Sequence, residues 1–429
     1  MKYAFYTLGC KVNQYETQAM EQLLREQGNE IVSLDAEADC YVVNTCSVTA
    51  VSDKKCRGVI RRLRRRSPEA LIGVCGCYAQ VDPDAIRALD VDVIGGTGDR
   101  EGFVAMLTQA VRTREHLEGL DDALRRRTPF EPLPAGSLET RTRAMLKVED
   151  GCQNFCSYCI IPYARGPVRS LALEEAVRQA ETLAEAGYRE IVLTGIEISS
   201  WGRDLGDQKL QDLVAALCQA VPDLRIRLGS LEPRTVDEDF CQALGRFSNL
   251  CPQFHLSLQS GCDSVLSRMH RRYDTARFLE SVRLLRQTWP GCAVTTDLIV
   301  GFPGETEEEF EKTLDFLDQA AFSQMHIFPY SRRPGTVADR LPDQVDPAVK
   351  EARAARAAEK AEALSRAYRQ AMVGSLFPVL FEQPEGDLFA GHAPNYVKVL
   401  VPPEAGLKGQ VRQVRILQVL PEGVLGQLE

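Results

Sequence analysis

The chain has 429 residues, of which 44% are apolar and 26% charged, a balance ordinary for globular proteins that argues against disorder. At roughly 150 residues per domain it is too long for one hydrophobic core and implies about three domains. A net charge of −9 argues against coating nucleic acid non-specifically, while leaving room for a local basic face that meets a phosphate backbone.

The first ten residues, Met1 to Cys10, contain no basic region followed by an apolar core, and no later stretch reaches about 18 consecutive apolar residues. A soluble, cytoplasmic chain with no membrane partner is expected. That compartment is reducing, so the fourteen cysteines are expected to serve burial, metal or redox chemistry rather than a disulfide framework.

From residue 1 to 112, short apolar runs at 3–8, 41–44, 71–74 and 91–94 alternate with helical patterns. They read as buried strands of a parallel α/β sheet. Between the second and third runs, eight of the thirteen residues from Lys54 to Arg66 are Lys or Arg and none is acidic. Val59, Ile60 and Leu63 form an apolar stripe there, so a helix with a basic face fits. Residues 113–142 lose this periodicity and carry Arg125-Arg126-Arg127, Pro129, Pro132 and Pro134, which suits an exposed connection.

Residues 143–345 hold six strand candidates, at 144–148, 190–193, 225–228, 253–258, 293–300 and 324–328. Helical patterns separate most of them, and Thr306 with Glu309 forms a capping box after the fifth. Six βα units imply an open, TIM-like partial barrel. Residues 346–374 are rich in Ala, Glu, Arg and Lys, a long solvated helix ended by Gly374. Residues 375–429 carry β-rich runs at 377–381, 396–401 and 411–419, consistent with a small β-barrel.

The sharpest chemical signal is Cys152-Gln153-Asn154-Phe155-Cys156-Ser157-Tyr158-Cys159. Thiolates at this spacing on one loop can converge on a single iron–sulfur cluster. Three ligands leave one iron of a four-iron cubane open to the amino and carboxylate groups of S-adenosylmethionine. Structural zinc would need a fourth ligand, and no second Cys pair lies nearby. The loop also follows the first strand of the proposed barrel, where TIM-like folds gather their active sites.

A second signal is Asp297-Leu298-Ile299-Val300-Gly301-Phe302-Pro303-Gly304-Glu305, a strand running into a Gly/Pro turn that can approach a planar ligand. A third is the set Cys10, Cys46 and Cys77, each following a strand candidate. Strand C-termini of a parallel sheet open into one crevice, so these thiols can become neighbours and hold a second cluster. By position alone, Cys75 competes with Cys77.

The cysteine loop and the glycine turn together resemble the radical-SAM superfamily. The resemblance implies that the turn contacts the cofactor's adenine and nominates Gly301, Pro303 and Gly304 for S-adenosylmethionine. Gly9-Cys10-Lys11-Val12-Asn13-Gln14-Tyr15-Glu16, Asn44-Thr45-Cys46 and Gly76-Cys77-Tyr78-Ala79-Gln80 resemble the three N-terminal motifs of methylthiotransferases. Further matches are Gly151-Cys152 through Pro162, Ser257-Leu258-Gln259-Ser260-Gly261 and Arg268-Met269-His270-Arg271. The likeness spans nearly the whole chain.

That family implies two 4Fe-4S clusters, one on Cys10, Cys46 and Cys77 and one on Cys152, Cys156 and Cys159, and its pattern favours Cys77 over Cys75. The Lys11-Val12-Asn13-Gln14 form resembles the branch acting on N6-threonylcarbamoyladenosine at tRNA position 37, rather than the isopentenyladenosine or ribosomal-protein aspartate branches. The implied reaction begins with an electron from a donor such as a flavodoxin or ferredoxin. S-adenosylmethionine is then cleaved to a deoxyadenosyl radical that removes hydrogen from the adenine C2. Sulfur from a sulfur donor and a methyl from a second S-adenosylmethionine complete the CH3-S group.

Such chemistry needs a radical shielded from water, so the N-terminal domain is expected to close over the barrel mouth. The C-terminal segment resembles a TRAM domain, although Lys398, Lys408, Arg412 and Arg415 are a modest supply of cations for RNA. Lys54, Lys55, Arg57, Arg61 and Arg62 are the candidates for tRNA phosphate contact. Two readings from other classes are a non-catalytic iron–sulfur carrier or sensor and a zinc-dependent RNA-binding protein.

Overall fold

The computed structural model describes residues 1–134 and 142–429, so the expected connection over 113–142 lies partly outside the described residues. Six strands form the first sheet: β1 (Lys2–Thr7), β2 (Glu30–Val32), β3 (Cys40–Thr45), β4 (Leu71–Gly76), β5 (Val93–Gly95) and β6 (Leu117–Gly119). All pairings are parallel and the order is β2-β1-β3-β4-β5-β6. β3 and β4 are buried along their whole length, as a sheet covered on both faces requires. Tyr41, Val43, Ile72 and Val74 face one core, and Val42, Leu71 and Cys75 face the other.

Three helices matter for the site: α1 (Lys11–Glu26), α2 (Ala50–Arg66) and α3 (Cys77–Val81). The strand order reverses at β1 and β3, which opens a crevice at their C-terminal ends. Two edge strands, β2 and β6, have three residues each. They are too short to show a period-2 pattern, and β6 is defined by its main-chain pairing to β5 within the stretch read as a connection.

The central region begins with β7 (Ala144–Lys147) and a short antiparallel pair, β8 (Glu149–Asp150) with β9 (Arg169–Ser170). Then follow β10 (Glu190–Thr194), β11 (Arg225–Arg227), β12 (Ser230–Leu231), β13 (Gln253–Leu256), β14 (Ala293–Val300) and β15 (Gln324–Pro329). β11 and β12 are one strand interrupted at Leu228 and Gly229. The parallel order is β7-β10-β11 and β12-β13-β14-β15, so six βα units form an open partial barrel, as the sequence pattern indicates. Among the described residues β7 and β15 do not pair. The capping box at Thr306 and Glu309 is formed in both directions.

The helix Pro347–Ala371 is not wholly solvated. Arg353, Ala357 and Ala361 are buried on one face, where alanines four residues apart allow close approach to the barrel. Beyond it, β16 (Leu376–Glu385), β17 (Leu388–His392), β18 (Lys398–Val401), β19 (Val411–Leu420) and β20 (Gly423–Leu428) close a barrel in the order β16-β17-β18-β20-β19. Arg225 and Arg227 of the central barrel donate to the carbonyls of Pro378 and Pro394, which docks the small barrel.

Ala357→Leu overpacks the helix–barrel seam and is expected to destabilise by about 1–3 kcal/mol. Ala355→Leu, on the exposed face, is expected to change stability by less than about 0.5 kcal/mol. Denaturant unfolding of both variants checks this.

Candidate active site

Cys10, Cys46 and Cys77 all sit at strand C-termini of the first sheet: Cys10 caps α1 just after β1, Cys46 follows β3, and Cys77 opens α3 after β4. Gly76 has φ +98, and a Cβ there would lie 2.4 Å from the Thr45 carbonyl oxygen. Only glycine permits this turn, which brings Cys77 back over β3. Asn13 ties the loops together: its Nδ2 donates to the carbonyls of Leu8 and Thr45, both at 2.9 Å. The Cys10 thiol lies 3.6 Å from Asn13 Oδ1.

Burial raises the pKa of Cys46, and negative charge on Cys10 adds to it. The Cys77 thiol is pushed up to about 11 by burial, with Arg165 opposing and Cys46 and Cys10 reinforcing. A Cβ on Gly9, the residue before Cys10, would lie 2.9 Å from the Cys46 Cβ, so these two loops are in direct contact. Cys75, still within β4, points into the apolar core with Tyr3, Met20 and Val42, whereas the turn at Gly76 takes Cys77 out of the strand. No three candidate side chains among the described residues are close enough to hold a single metal ion. A multi-iron cluster spreads its thiolates more widely than one tetrahedral ion does.

The second set follows β7 and β8. Gly151 has φ +91, and a Cβ on it would meet the Pro167 carbonyl oxygen at 2.0 Å. The Cys152 N–H donates to the Gly166 carbonyl at 3.0 Å and the Cys159 N–H to that of Cys156 at 3.0 Å. Arg271 Nη1 donates to Cys156 Sγ at 3.2 Å, and its Nε is fixed by the Tyr273 hydroxyl at 2.9 Å. Cys159 is pushed up to about 12 by burial first, and the charge on Cys77 contributes. The segment that follows Cys159 is held against the first domain, Arg165 donating to Asn13 Oδ1 and the Thr97 hydroxyl to the Ala164 carbonyl, so the two cysteine sets face each other across the domain boundary.

The glycine turn meets this loop through an edge-to-face contact between Phe302 and Tyr158, with centroids 6.4 Å apart. The Gly301 N–H donates to Glu305 at 2.6 Å and the Gly304 N–H to the Asp343 carbonyl at 2.9 Å, while Pro303 is buried. On the other side of the loop, Asn154 Nδ2 donates to Glu197 Oε2 at 3.3 Å, and the Glu197 N–H donates to Glu149 at 2.7 Å. Burial raises the pKa of both Glu149 and Glu197. Glu149 Oε1 is buried without a partner.

Between the two sets lies a buried charge cluster. Glu16 of α1 is paired with Arg100 at 2.7 Å, Lys147 at 3.0 Å and Arg165 at 2.5 Å. Asp150 is paired with Lys147 at 2.8 Å, Arg165 at 3.3 Å and Arg169 at 3.2 Å. Arg165 also donates to Asn13 Oδ1 at 2.9 Å. Against the burial that would raise it, Arg100, Arg165 and Lys147 hold the Glu16 carboxyl well below the usual carboxylate range. Four cations and two carboxylates leave the pocket electropositive, which suits the net anion formed by a cubane core and three thiolates.

The basic helix presents Lys54, Lys55, Arg61 and Arg62 to solvent. Arg57 is instead engaged: it donates to the Tyr78 hydroxyl at 2.6 Å and lies over that ring. The helix N-terminus touches the barrel rim, where Arg333 pairs with Asp53 at 2.5 Å. Sequence reasoning passed over Arg271 and Glu16, although both stand in quoted motifs. Glu149, Glu197 and Arg165 had no pattern of their own.

A model of the radical SAM superfamily matches residues 146–317, and one of the uncharacterized protein family UPF0004 matches residues 2–96. The solved radical S-adenosylmethionine methyltransferase TsrM from Kitasatospora setae superposes with a TM-score of 0.58 at 18% identity, covering 79% of this chain and 75% of that one, a likeness of fold. The central region is a radical SAM domain.

The threonylcarbamoyladenosine tRNA methylthiotransferase MtaB of Bacillus subtilis is 41% identical over 97% of this chain and 93% of its own. Its namesake in Thermotoga maritima is 36% identical over 98% and 95%. A tRNA-2-methylthio-N(6)-dimethylallyladenosine synthase of Acidothermus cellulolyticus is 34% identical over 98% and 86%. The chain belongs to the radical SAM methylthiotransferase family that these relatives share. Membership implies S-adenosylmethionine and a 4Fe-4S cluster. No helix among the described residues is long and apolar enough to cross a membrane.

Glu16→Gln removes one anion from a cluster of buried cations and is expected to cost about 3–5 kcal/mol at neutral pH. The stability that Glu16 contributes is present above its unfolded pKa of about 4.3 and is lost as pH falls toward its lower folded value. The stability gap between wild type and variant should therefore narrow below about pH 4, as measured by denaturant titration across pH.

Proposed function

We propose that this enzyme methylthiolates the C2 position of N6-threonylcarbamoyladenosine at position 37 of tRNA. The observation that carries the reading is the meeting of two three-cysteine sets across the interface between sheet and barrel. A single set is enough to open S-adenosylmethionine. The facing set gives sulfur a place to be held beside the radical.

In this reading Cys152, Cys156 and Cys159 hold the cluster that binds S-adenosylmethionine, and Cys10, Cys46 and Cys77 hold a second 4Fe-4S cluster. When bound, these groups supply the reducing electron, the carbon radical and the transferred sulfur. The chain's own residues bind, orient and shield. Arg271 places a fixed positive charge on Cys156 and so stabilises its thiolate. Glu197 and Glu149 offer buried carboxyls beside the loop to a cofactor that carries ammonium and sulfonium charges, and the unpartnered Glu149 oxygen fits such a cation. The turn at Gly301, Pro303 and Gly304 supplies backbone to the adenine. Arg165 and Asn13 hold the facing loops in register.

Lys54, Lys55, Arg61 and Arg62 form the tRNA-facing basic surface, with Arg57 as a structural support. An electron donor of the flavodoxin or ferredoxin type, a separate sulfur donor, a TRAM role for the C-terminal barrel and a cytoplasmic location complete the proposal. Domain limits at 1–112, 113–142, 143–345, 346–374 and 375–429 belong to the same reading, with the first sheet extended past residue 112 by β6.

The test is anaerobic reconstitution with reductant, sulfide, S-adenosylmethionine and tRNA carrying threonylcarbamoyladenosine, followed by nucleoside mass spectrometry. Wild type is expected to yield the 2-methylthio nucleoside. Cys156→Ala should lose both the product and S-adenosylmethionine cleavage. Cys77→Ala should keep cleavage and lose at least about 100-fold in product, the order expected when a metal site is disrupted. Cleavage without any methylthiolated threonylcarbamoyladenosine in wild type would move the substrate to another member of the family's range.

A further inference from the structure

A cavity of about 500 Å3 opens between α1, the inner face of the partial barrel and the C-terminal barrel, and Lys11, Gln14, Arg143, Arg227, Tyr396 and Lys408 are among its lining residues. Its floor is one layer of the barrel interior. Met145 on β7 and Arg227 on β11 flank Val192 on β10 in register. The next residues along the same face, Lys147 and Thr194, are also paired, and Lys147 already belongs to the charge cluster between the cysteine sets. The cavity therefore lies directly beneath the proposed reaction centre, and Lys11 follows Cys10 in the chain.

The cations of the cavity are of two kinds. Arg143 is held by Glu382 at 2.9 Å and Arg227 by Glu190 at 2.7 Å. Both guanidinium groups lie over the Tyr396 ring, 5.1 and 4.6 Å from its centroid. Lys11 and Lys408, by contrast, have no ion pair among the described residues. Two ammonium groups thus line a concave wall whose one carboxylate among the described lining residues, Glu382, is taken by Arg143.

Tyr396 adds an independent sign of a built site. Its φ is +67, uncommon for a bulky residue, and strain of this kind persists where the surroundings over-determine it. The Tyr396 N–H donates to the Ala393 carbonyl at 2.9 Å, and Asn395 Nδ2 donates to the Tyr368 hydroxyl at 3.0 Å. The ring is stacked on His392 at 4.9 Å. The turn is held so that an aromatic face and two neutralised arginines frame the lysines.

We propose that this cavity receives the N6 substituent of the substrate nucleoside and that the Lys11 ammonium pairs with the carboxylate at its end, with Lys408 closing from the facing wall. This rests on the tRNA reading given under Proposed function. A threonylcarbamoyl substituent ends in a carboxylate, whereas a dimethylallyl substituent is apolar. An apolar group in this cavity would strip water from Lys11 without replacing it, so the same lysine that attracts the acidic substituent rejects the apolar one.

The test compares three substrates on the full-length reconstituted holoenzyme: tRNA bearing threonylcarbamoyladenosine, the same tRNA with that carboxylate as its methyl ester, and tRNA bearing dimethylallyladenosine. Wild type is expected to prefer the free carboxylate over the ester by about 10- to 100-fold in kcat/KM, the range of a charge-assisted hydrogen bond. Lys11→Met should lose most of that preference through a raised KM, and Lys11→Arg should restore it. Because the preference is a ratio on one enzyme, it does not depend on the fraction of molecules carrying clusters. Should Lys11→Met turn over no tRNA, the ratio is read from Lys11→Gln and Lys408→Met. A full wild-type preference in those variants, or in Lys11→Met itself, overturns the assignment while leaving the tRNA reading intact. Wild type that methylthiolates neither threonylcarbamoyl substrate overturns both.

Discussion

The Glu16 carboxylate is the contact on which the rest of this structure depends. It is fully buried and reaches Arg100 of its own domain together with Lys147 and Arg165 of the partial barrel. Well-packed apolar side chains could stabilise such an interface as well or better, since burying ions costs nearly as much as their pairing returns. What an ion network adds is register, because each carboxylate oxygen accepts from a particular nitrogen. Arg165 passes that register on through Asn13, whose amide spans the Leu8 and Thr45 carbonyls. The positions of Cys10 and Cys46 relative to the barrel loop follow from one chain of hydrogen bonds.

Local geometry completes what the network begins. Gly76 and Gly151 each precede a cysteine and each adopts a positive φ that a side chain would block against a backbone oxygen. The two turns aim Cys77 and Cys152 from their strand ends toward the shared space. The first domain places its cysteines at the C-terminal ends of parallel strands, where helix N-termini and loop amides collect positive potential, and the barrel's cysteine loop follows parallel β7 through the short antiparallel strand β8. Two separate α/β layers thus present the same kind of edge to one another, and the anionic groups proposed there lie in a favourable field from both sides.

How far this was legible in the sequence follows from the range of each interaction. The six strands of the partial barrel, the capping box at Thr306 and the cysteine loop are set by neighbours in the chain, and they read directly. Cys10, Cys46 and Cys77 were readable as a set because strand ends of a parallel sheet converge. The role of Glu16 was not, because its partners Arg100, Lys147 and Arg165 lie 84, 131 and 149 residues away. Arg57 counted as a free cation until Tyr78 was seen to hold it. In the helix Pro347–Ala371, alanine is so frequent that the buried positions 353, 357 and 361 do not stand out from composition. β6 carries no side-chain pattern, only a pairing.

The C-terminal barrel shows how charge counting and charge placement part company. Of its four permanent cations, three are already neutralised: Lys398 by Glu385 at 2.8 Å, Arg412 by Glu404 at 3.3 Å and Arg415 by Glu429 at 2.6 Å. Exposed pairs of this kind contribute little to stability, but they do remove the positive field that a phosphate backbone would need. The fourth, Lys408, lines the cavity beside Arg143 and Tyr396. Arg225 and Arg227 meanwhile tie the barrel's carbonyls to the inner strands of the central domain. A small barrel with little free charge outside and an aromatic, cation-lined surface inside is built as a wall of the cavity. The cations Lys54, Lys55, Arg61 and Arg62 of α2, on the opposite domain, are left as the exposed basic surface.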